Sequence, residues 1–126
     1  MRTLRIGIRS HEEAKARLLA IARGEAKRHE NEPSIWVTSL GSLAQLLNAE
    51  NMALLDLIRD QEPASLTELA TLTERSVPSL SRSLAKMEEY GLVTMIEQGR
   101  MRAPRVTFDR LEIVVVEHPP VNRQAA

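Results

Sequence analysis

The sequence predicts a mainly α fold with small β elements, in which a strand–helix–strand unit precedes a run of helices and a hairpin. Apolar residues recur at helical spacing through most of the 126 residues, and period-two stretches are short. Aromatic residues make up 2% of the chain, so the core has to be aliphatic. A chain of this length fits one compact unit with a modest core.

The first unit, residues 1–38, is predicted from alternation followed by a helix signal. Apolar residues alternate with polar ones at the start of the chain, which predicts a half-buried strand: Leu4, Ile6 and Ile8. Ser10 with Glu13 forms a capping box, and the helix it opens should run to about Glu30. A second short strand is predicted from Ile35 to Thr38. We expect this unit to mediate dimerisation.

The next part of the chain carries four helix starts in close succession. Ser39 and Asn48 are predicted caps of two helices, and Ser65 with Glu68 is a second capping box. The helix that begins at Ser65 should end at Leu72, and after a short turn another should run from Ser76 to Tyr90. Gly91 then suits a left-handed C-cap.

Short strands follow these helices. The sequence predicts strands at residues 92–96, 106–108 and 111–116, with a loop tip at residues 98–100. From Asn48 to Phe108 the order of elements is that of a winged helix-turn-helix, whose second helix lies in the DNA major groove. We assign residues 39–116 to this DNA-binding domain with its C-terminal strand, and residues 117–126 to a disordered tail.

Charge distribution points to the same surface. The formal net charge of the whole chain is zero, but the segment from Arg75 to Arg105 contains six basic and three acidic residues, which gives it a local charge of +3. The basic residues lie on the helix that begins at Ser76 and on the hairpin, where phosphate contacts are expected. The candidate DNA-binding residues are Arg75, Ser76, Pro78, Ser79, Arg82, Ser83, Lys86, Arg100, Arg102 and Arg105.

Two plainer interpretations stay open. A helix with two cations on its solvent side is often only a solvated helix, and winged helices also serve as protein-interaction modules without any nucleic acid. The alternative function is therefore a protein-interaction winged helix, such as a toxin-neutralising antitoxin that also regulates its own promoter.

Three stretches resemble winged-helix transcriptional regulators of the MarR-like kind: residues 65–70, residues 81–84 and residues 87–93, with Met87 replacing a leucine of the family's pattern. This resemblance covers about half of the chain and implies a sequence-specific regulator of transcription that binds double-stranded DNA as a dimer. The whole layout also resembles small prokaryotic predicted regulators, some of them antitoxin-like, which implies a toxin protein as a possible partner. The predicted termini lack the long helices that form the MarR ligand pocket, which argues against small-molecule sensing there.

Several classes of function are not expected. The chain has no cysteine, and His11, His29 and His118 are scattered, so we expect no metal site and no cofactor. No grouping of nucleophile, base or glycine-rich loop suggests an enzyme. No apolar run approaches the roughly 20 residues that cross a bilayer, and the first residues lack a signal peptide, which favours a cytoplasmic protein without membrane contact.

The terminal strands are expected to hold the dimer together. Residues 111–116 are apolar on both faces, and a strand of that kind has to be covered on both. We expect the two terminal strands to pair within or between subunits, with the first helix packed over them and Trp36 nearby. The alternative is that both strands complete the sheet of one monomer.

Overall fold

The computed structural model describes residues 1–28 and 32–115, and over these residues the fold is α+β, with five helices and five strands in two sheets. The prediction of a mainly α fold, a winged helix-turn-helix preceded by a strand–helix–strand unit, is wrong. Three strands from both ends of the chain join in one parallel sheet, which local periodicity could not reveal because the pairing residues lie up to about 107 positions apart.

The three-stranded sheet has the order β2–β1–β5, with β1 (Thr3–Ile8) between β2 (Ile35–Val37) and β5 (Arg110–Val114). Both neighbours are parallel to β1, and Ile6 lies opposite Ile35 on one side and Ile113 on the other. Within β1, Leu4 and Ile6 are buried against the helices. The predicted pairing of the terminal strands therefore occurs within one chain.

Helix α1 (His11–Ala22) begins as predicted, with Ser10 and Glu13 in a complete capping box. It ends well before Glu30, which lies outside the described residues. Gly24 adopts a φ of +75°, a left-handed conformation that glycine accepts without strain and that ends a helix. No residue of α1 is buried, so the expected close packing of this helix over the sheet is not observed.

Four further helices follow: α2 (Leu40–Leu46), α3 (Ala49–Gln61), α4 (Leu66–Thr73) and α5 (Val77–Glu89). Each begins after a residue whose side chain accepts a hydrogen bond from a backbone N–H of the first turn: Ser39, Asn48, Ser65 and Ser76. The second predicted capping box is only half formed. Glu68 accepts from the N–H of Ala64 instead of that of Ser65.

The second sheet is an antiparallel hairpin of β3 (Val93–Gln98) and β4 (Met101–Val106), joined at Gly99. It packs against α3 through β4 and against α5 through β3. Val93 and Ala103 are buried in these contacts. The hairpin thus lies beside α5 at a fixed position.

The parallel sheet also bears on the predicted domain division and on the end of the chain. Because β5 pairs with β1, the predicted units at residues 1–38 and 39–116 share one sheet. Val116 and the tail predicted at residues 117–126 lie outside the described residues. Within residues 1–28 and 32–115, no helix is both long and apolar enough to cross a membrane.

Candidate nucleic-acid interface

Helices α4 and α5 meet at a tight turn whose backbone is fixed by two residues. Glu74 ends α4 in a left-handed conformation (φ 57°), and its N–H donates to the carbonyl of Ala70. Ser76 then caps α5 by accepting from the N–H of Ser79 at 3.2 Å. Pro78 lies in the first turn, where its missing N–H costs nothing. The two helices are therefore held at a set angle by local sequence.

One face of α5 is turned away from the core and forms an exposed stripe at helical spacing. We call this the α5 stripe, and it consists of Pro78, Ser81, Arg82, Ala85 and Lys86. The opposite face carries the buried Leu80, Leu84 and Met87, as the sequence predicts. Small side chains alternate with cationic ones along the stripe, so a groove of nucleic acid could approach it closely.

Neither cation of the α5 stripe forms an ion pair with a carboxylate of the described residues. Arg82 is exposed, and the ammonium of Lys86 lies 5.8 Å from the centre of the Tyr90 ring. Both side chains can therefore turn towards a phosphate or a base without first giving up an ion pair.

Three of the predicted DNA-binding residues instead contact one another at the side of α5. The guanidinium of Arg75 donates to the hydroxyl of Ser79 at 3.0 Å and to that of Ser83 at 2.9 Å. Its other terminal nitrogen lies 3.5 Å from the carboxylate of Glu50 on α3. The Arg75 side chain is only 20% exposed. Its geometry suits a positioning residue that ties α5 to α3.

The hairpin carries two more exposed cations, one of which lies beside the α5 stripe. Arg100 and Arg102 are exposed at and beside its tip. Arg102 also lines a shallow groove of about 200 Å³ together with Ser81 and Ala85 of the α5 stripe. Arg102 and the α5 stripe therefore form one continuous surface.

Arg105, also a candidate from the sequence, is engaged within the fold. Its guanidinium donates to the carbonyl of Pro63 at 2.7 Å, to that of Pro104 at 2.8 Å and to the side chain of Gln98 at 3.1 Å. These bonds join the hairpin to the loop between α3 and α4. Arg105 thus suits a structural role better than contact with a phosphate.

Acidic residues border the surface without pairing with its cations. Glu88 lines the groove beside Arg102, Glu97 lies opposite Arg102 across the hairpin, and Glu89 follows Lys86 at the end of α5. The cations lie in the middle of α5 (Arg82), in its last turn (Lys86) and at the hairpin tip.

Sequence reasoning missed Ser81, which belongs to the α5 stripe and lines the groove. Helical spacing carried the signal, because Ser81 lies three residues after Pro78 and four before Ala85. No such signal distinguishes Arg75 or Arg105 from exposed arginines, since their partners come from distant parts of the chain.

Comparison with known proteins adds one finding. The family model HVO_A0114 matches residues 46–113, which is 68 of the 126 residues. The chain belongs to the HVO_A0114 family. The match contains α3, α4, α5 and the hairpin, and so the whole surface described above lies within the part shared with the HVO_A0114 family. No curated protein and no solved structure matches the chain.

Among residues 1–28 and 32–115, no three histidine, aspartate or glutamate side chains are grouped so that they could hold a metal ion. His29 and His118 lie outside these residues. The candidate surface is therefore described by its cations and its shape alone.

Proposed function

We propose that this member of the HVO_A0114 family binds double-stranded DNA in a sequence-specific manner and regulates transcription in the cytoplasm, acting by binding and not by catalysis. The observation that carries the proposal is the joint surface of the α5 stripe and the hairpin. It presents Arg82, Lys86, Arg100 and Arg102 with no ion pair to a described carboxylate.

In this proposal α5 enters the major groove with the α5 stripe turned towards the bases. An α-helix fits that groove, and the small side chains of Pro78, Ser81 and Ala85 allow close approach. Arg82 is the candidate for bidentate recognition of a guanine, and Lys86 for a phosphate. Arg100 and Arg102 would contact the backbone beside the groove, which adds affinity but little sequence information.

The proposal includes a homodimer. One copy offers four free cations in this surface, and a chain of zero net charge gains little from long-range attraction. Two copies on one duplex double the contacts and favour a palindromic site. The edge position of β5 in the parallel sheet supports this arrangement, because Ile113 on β5 is 44% exposed and Val115, which follows the strand, is 49% exposed.

The test is selection of bound duplexes from a random pool, followed by binding measurements with variants of the selected site. Arg82→Ala is expected to lose about 1–3 kcal/mol of binding free energy and to relax one base position. Lys86→Ala should weaken binding to all DNA sequences to a similar extent. Arg59→Ala is the matched control, because this exposed arginine of α3 already pairs with Asp56 and Asp60.

Two outcomes of this experiment would contradict the proposal. Selection of no sequence, or equal binding by the Arg82 variant and the control, contradicts recognition through α5. Melting temperatures of all three variants should agree with that of the parent, so that a loss of binding cannot be attributed to unfolding.

Binding of a protein partner is a second candidate function, favoured by the exposed leucines of α1. Leu18 is 60% exposed and Leu19 is 43% exposed. Exposed leucines on a helix with no buried residue are typical of helices that dock onto another protein, here a toxin partner. Leu19→Lys should abolish capture of such a partner while leaving DNA binding intact.

A further inference from the structure

A second concave region, which shares no lining residue with the α5 stripe, lies between α1 and the parallel sheet. It is a half-open cavity of about 400 Å³, which we call the α1 cavity. Its principal lining residues are Arg9, Arg17, Leu18, Ile21, Arg28 and Trp36. A volume of this size is within the range of pockets that hold small organic molecules.

The α1 cavity leaves two elements incompletely packed. Ala14, Leu18 and Ile21 follow one another at helical spacing and line the cavity, yet no residue of α1 is buried. A helix of 12 residues is marginal in water unless its apolar face is covered. Parallel sheets are likewise found with both faces covered. An occupant with an apolar body would supply the missing contacts on both sides.

The floor of the cavity is built as a stack. The Trp36 ring lies flat against Gly7, where a Cβ atom would come within 2.2 Å of the ring. The guanidinium carbon of Arg9 lies 3.6 Å from the centre of the same ring. Stacking fixes the plane of the guanidinium and leaves its N–H edges available, because no described residue accepts a hydrogen bond from this side chain.

Charge determines what kind of occupant fits. Arg17 is paired with Glu32 at 2.9 Å and also donates to the carbonyl of Lys27 at 2.7 Å. Arg9 and Arg28 have no such pairing with a described carboxylate. Glu32 also lines the cavity, and its charge is offset by Arg17. The cavity therefore combines an apolar wall with two cationic side chains, Arg9 and Arg28, that are available to an anion.

We propose that the α1 cavity binds a small organic acid, whose carboxylate or phosphate is held by Arg9 and Arg28 and whose apolar body lies between the edge of the Trp36 ring and the Leu18–Ile21 side of α1. A planar acid group accepts two hydrogen bonds from one guanidinium edge. The apolar body covers the helix and the indole. This site is independent of DNA binding, so it can be tested without any nucleic acid.

Binding at this site can be followed by intrinsic fluorescence, because Trp36 is the only tryptophan of the sequence. Intrinsic fluorescence, excited to select tryptophan, is titrated with benzoate and with phenyl phosphate. Benzamide provides the same ring without charge, and acetate provides charge without the ring. We expect a saturable change with one or both aromatic acids, and at least about tenfold weaker binding of benzamide and acetate. The tighter of the two acids identifies the preferred acid group.

Variants locate the binding. Arg28→Ala should weaken binding of the aromatic acid at least tenfold, which is about 1.4 kcal/mol of binding free energy. Arg9→Ala should do the same, measured by calorimetry because this change alters the surroundings of the indole directly. Arg23→Ala is the matched control, an exposed arginine that follows α1 and does not line the cavity.

Three results would overturn the proposal. One is the absence of saturable binding of either acid up to about 10 mM. Another is equal binding of benzamide, since the cations would then have no part. The third is an equal loss in the Arg23 variant. Melting curves of each variant accompany the titrations, and Arg28→Lys, which keeps the charge, should retain part of the affinity if Arg28→Ala lowers the melting temperature.

Discussion

At the scale of single residues, arginines that look alike in the sequence have different surroundings. Arg75 and Arg105 each donate two or more hydrogen bonds within the fold, whereas Arg82 and Arg102 donate none to described residues. A cation that is satisfied internally stabilises the protein, and a cation that is not so engaged is available to a ligand. Variants of the two kinds should therefore affect different measurements.

Arg75→Ala is expected to lower the free energy of unfolding by about 1–3 kcal/mol. The change leaves the half-buried hydroxyls of Ser79 and Ser83 without their charged donor, and hydrogen bonds to charged groups are worth about 1.5–3 kcal/mol. Urea denaturation measures the effect. Arg82→Ala is the control and should stay within about 0.5 kcal/mol of the parent; equal stabilities of the two variants would contradict the positioning role of Arg75.

Two glycines allow a matched comparison of packing. Gly7→Ala places a methyl group against the Trp36 ring at 2.2 Å and should destabilise the protein by about 1–3 kcal/mol. Gly41→Ala meets only the Ser39 hydroxyl at 3.6 Å and lies within α2, where alanine is favoured over glycine by about 1 kcal/mol. Thermal denaturation should give shifts of opposite sign, and a tolerated Gly7→Ala would show that the indole does not rest on β1.

At the scale of elements, the hairpin should contribute to DNA binding through charge alone. Removal of Arg100 or Arg102 is expected to weaken binding to all sequences alike and to flatten the dependence of log K on log salt by about one unit for each lost phosphate contact. Affinity is measured over a series of salt concentrations, with Arg59→Ala as the control. A slope identical to that of the parent would remove the hairpin from the proposed interface.

Elements that are signalled by local chemistry could be predicted from the sequence. Ser10, Ser39, Asn48, Ser65 and Ser76 all cap helices, because a side-chain acceptor next to free N–H groups acts over only three residues. Periodicity likewise predicts the buried and exposed faces of α5 and a hairpin, but the second strand of the hairpin is Met101–Val106 and the prediction of a strand at residues 106–108 is wrong. The prediction that the first helix runs to about Glu30 is wrong, because α1 ends at Ala22 and Gly24 takes up a left-handed conformation.

Features that depend on distant partners could not be predicted. Nothing near Leu4 in the sequence indicates that Leu111 will lie beside it, and so the parallel sheet and the α+β class were missed. The same holds for the carbonyl of Pro63 that Arg105 contacts and for the stack of Arg9 on Trp36. These contacts are decided by tertiary packing, which no local spacing encodes.

At the scale of the whole molecule, the free edge of β5 leads to a prediction about assembly. Light scattering at micromolar concentration should give twice the chain mass of 14.1 kDa. Ile113→Lys places a charge on the exposed edge and should yield a monomer with weaker DNA binding, because charged side chains block edge pairing. Leu19→Lys on α1 is the control and should remain dimeric; a parent protein of 14.1 kDa in solution would contradict the preformed dimer.

The position of β1 between β2 and β5 has a consequence for synthesis on the ribosome. β1 is synthesised about 100 residues before its neighbour β5. The backbone N–H of Arg2, just before β1, donates to the carboxylate of Asp109, 107 residues later. The helices and hairpin between them can form as they emerge, because their contacts are local. The sheet cannot close until residues 110–114 have been made, and during that interval the side of β1 that pairs with β5 is open to neighbouring nascent chains.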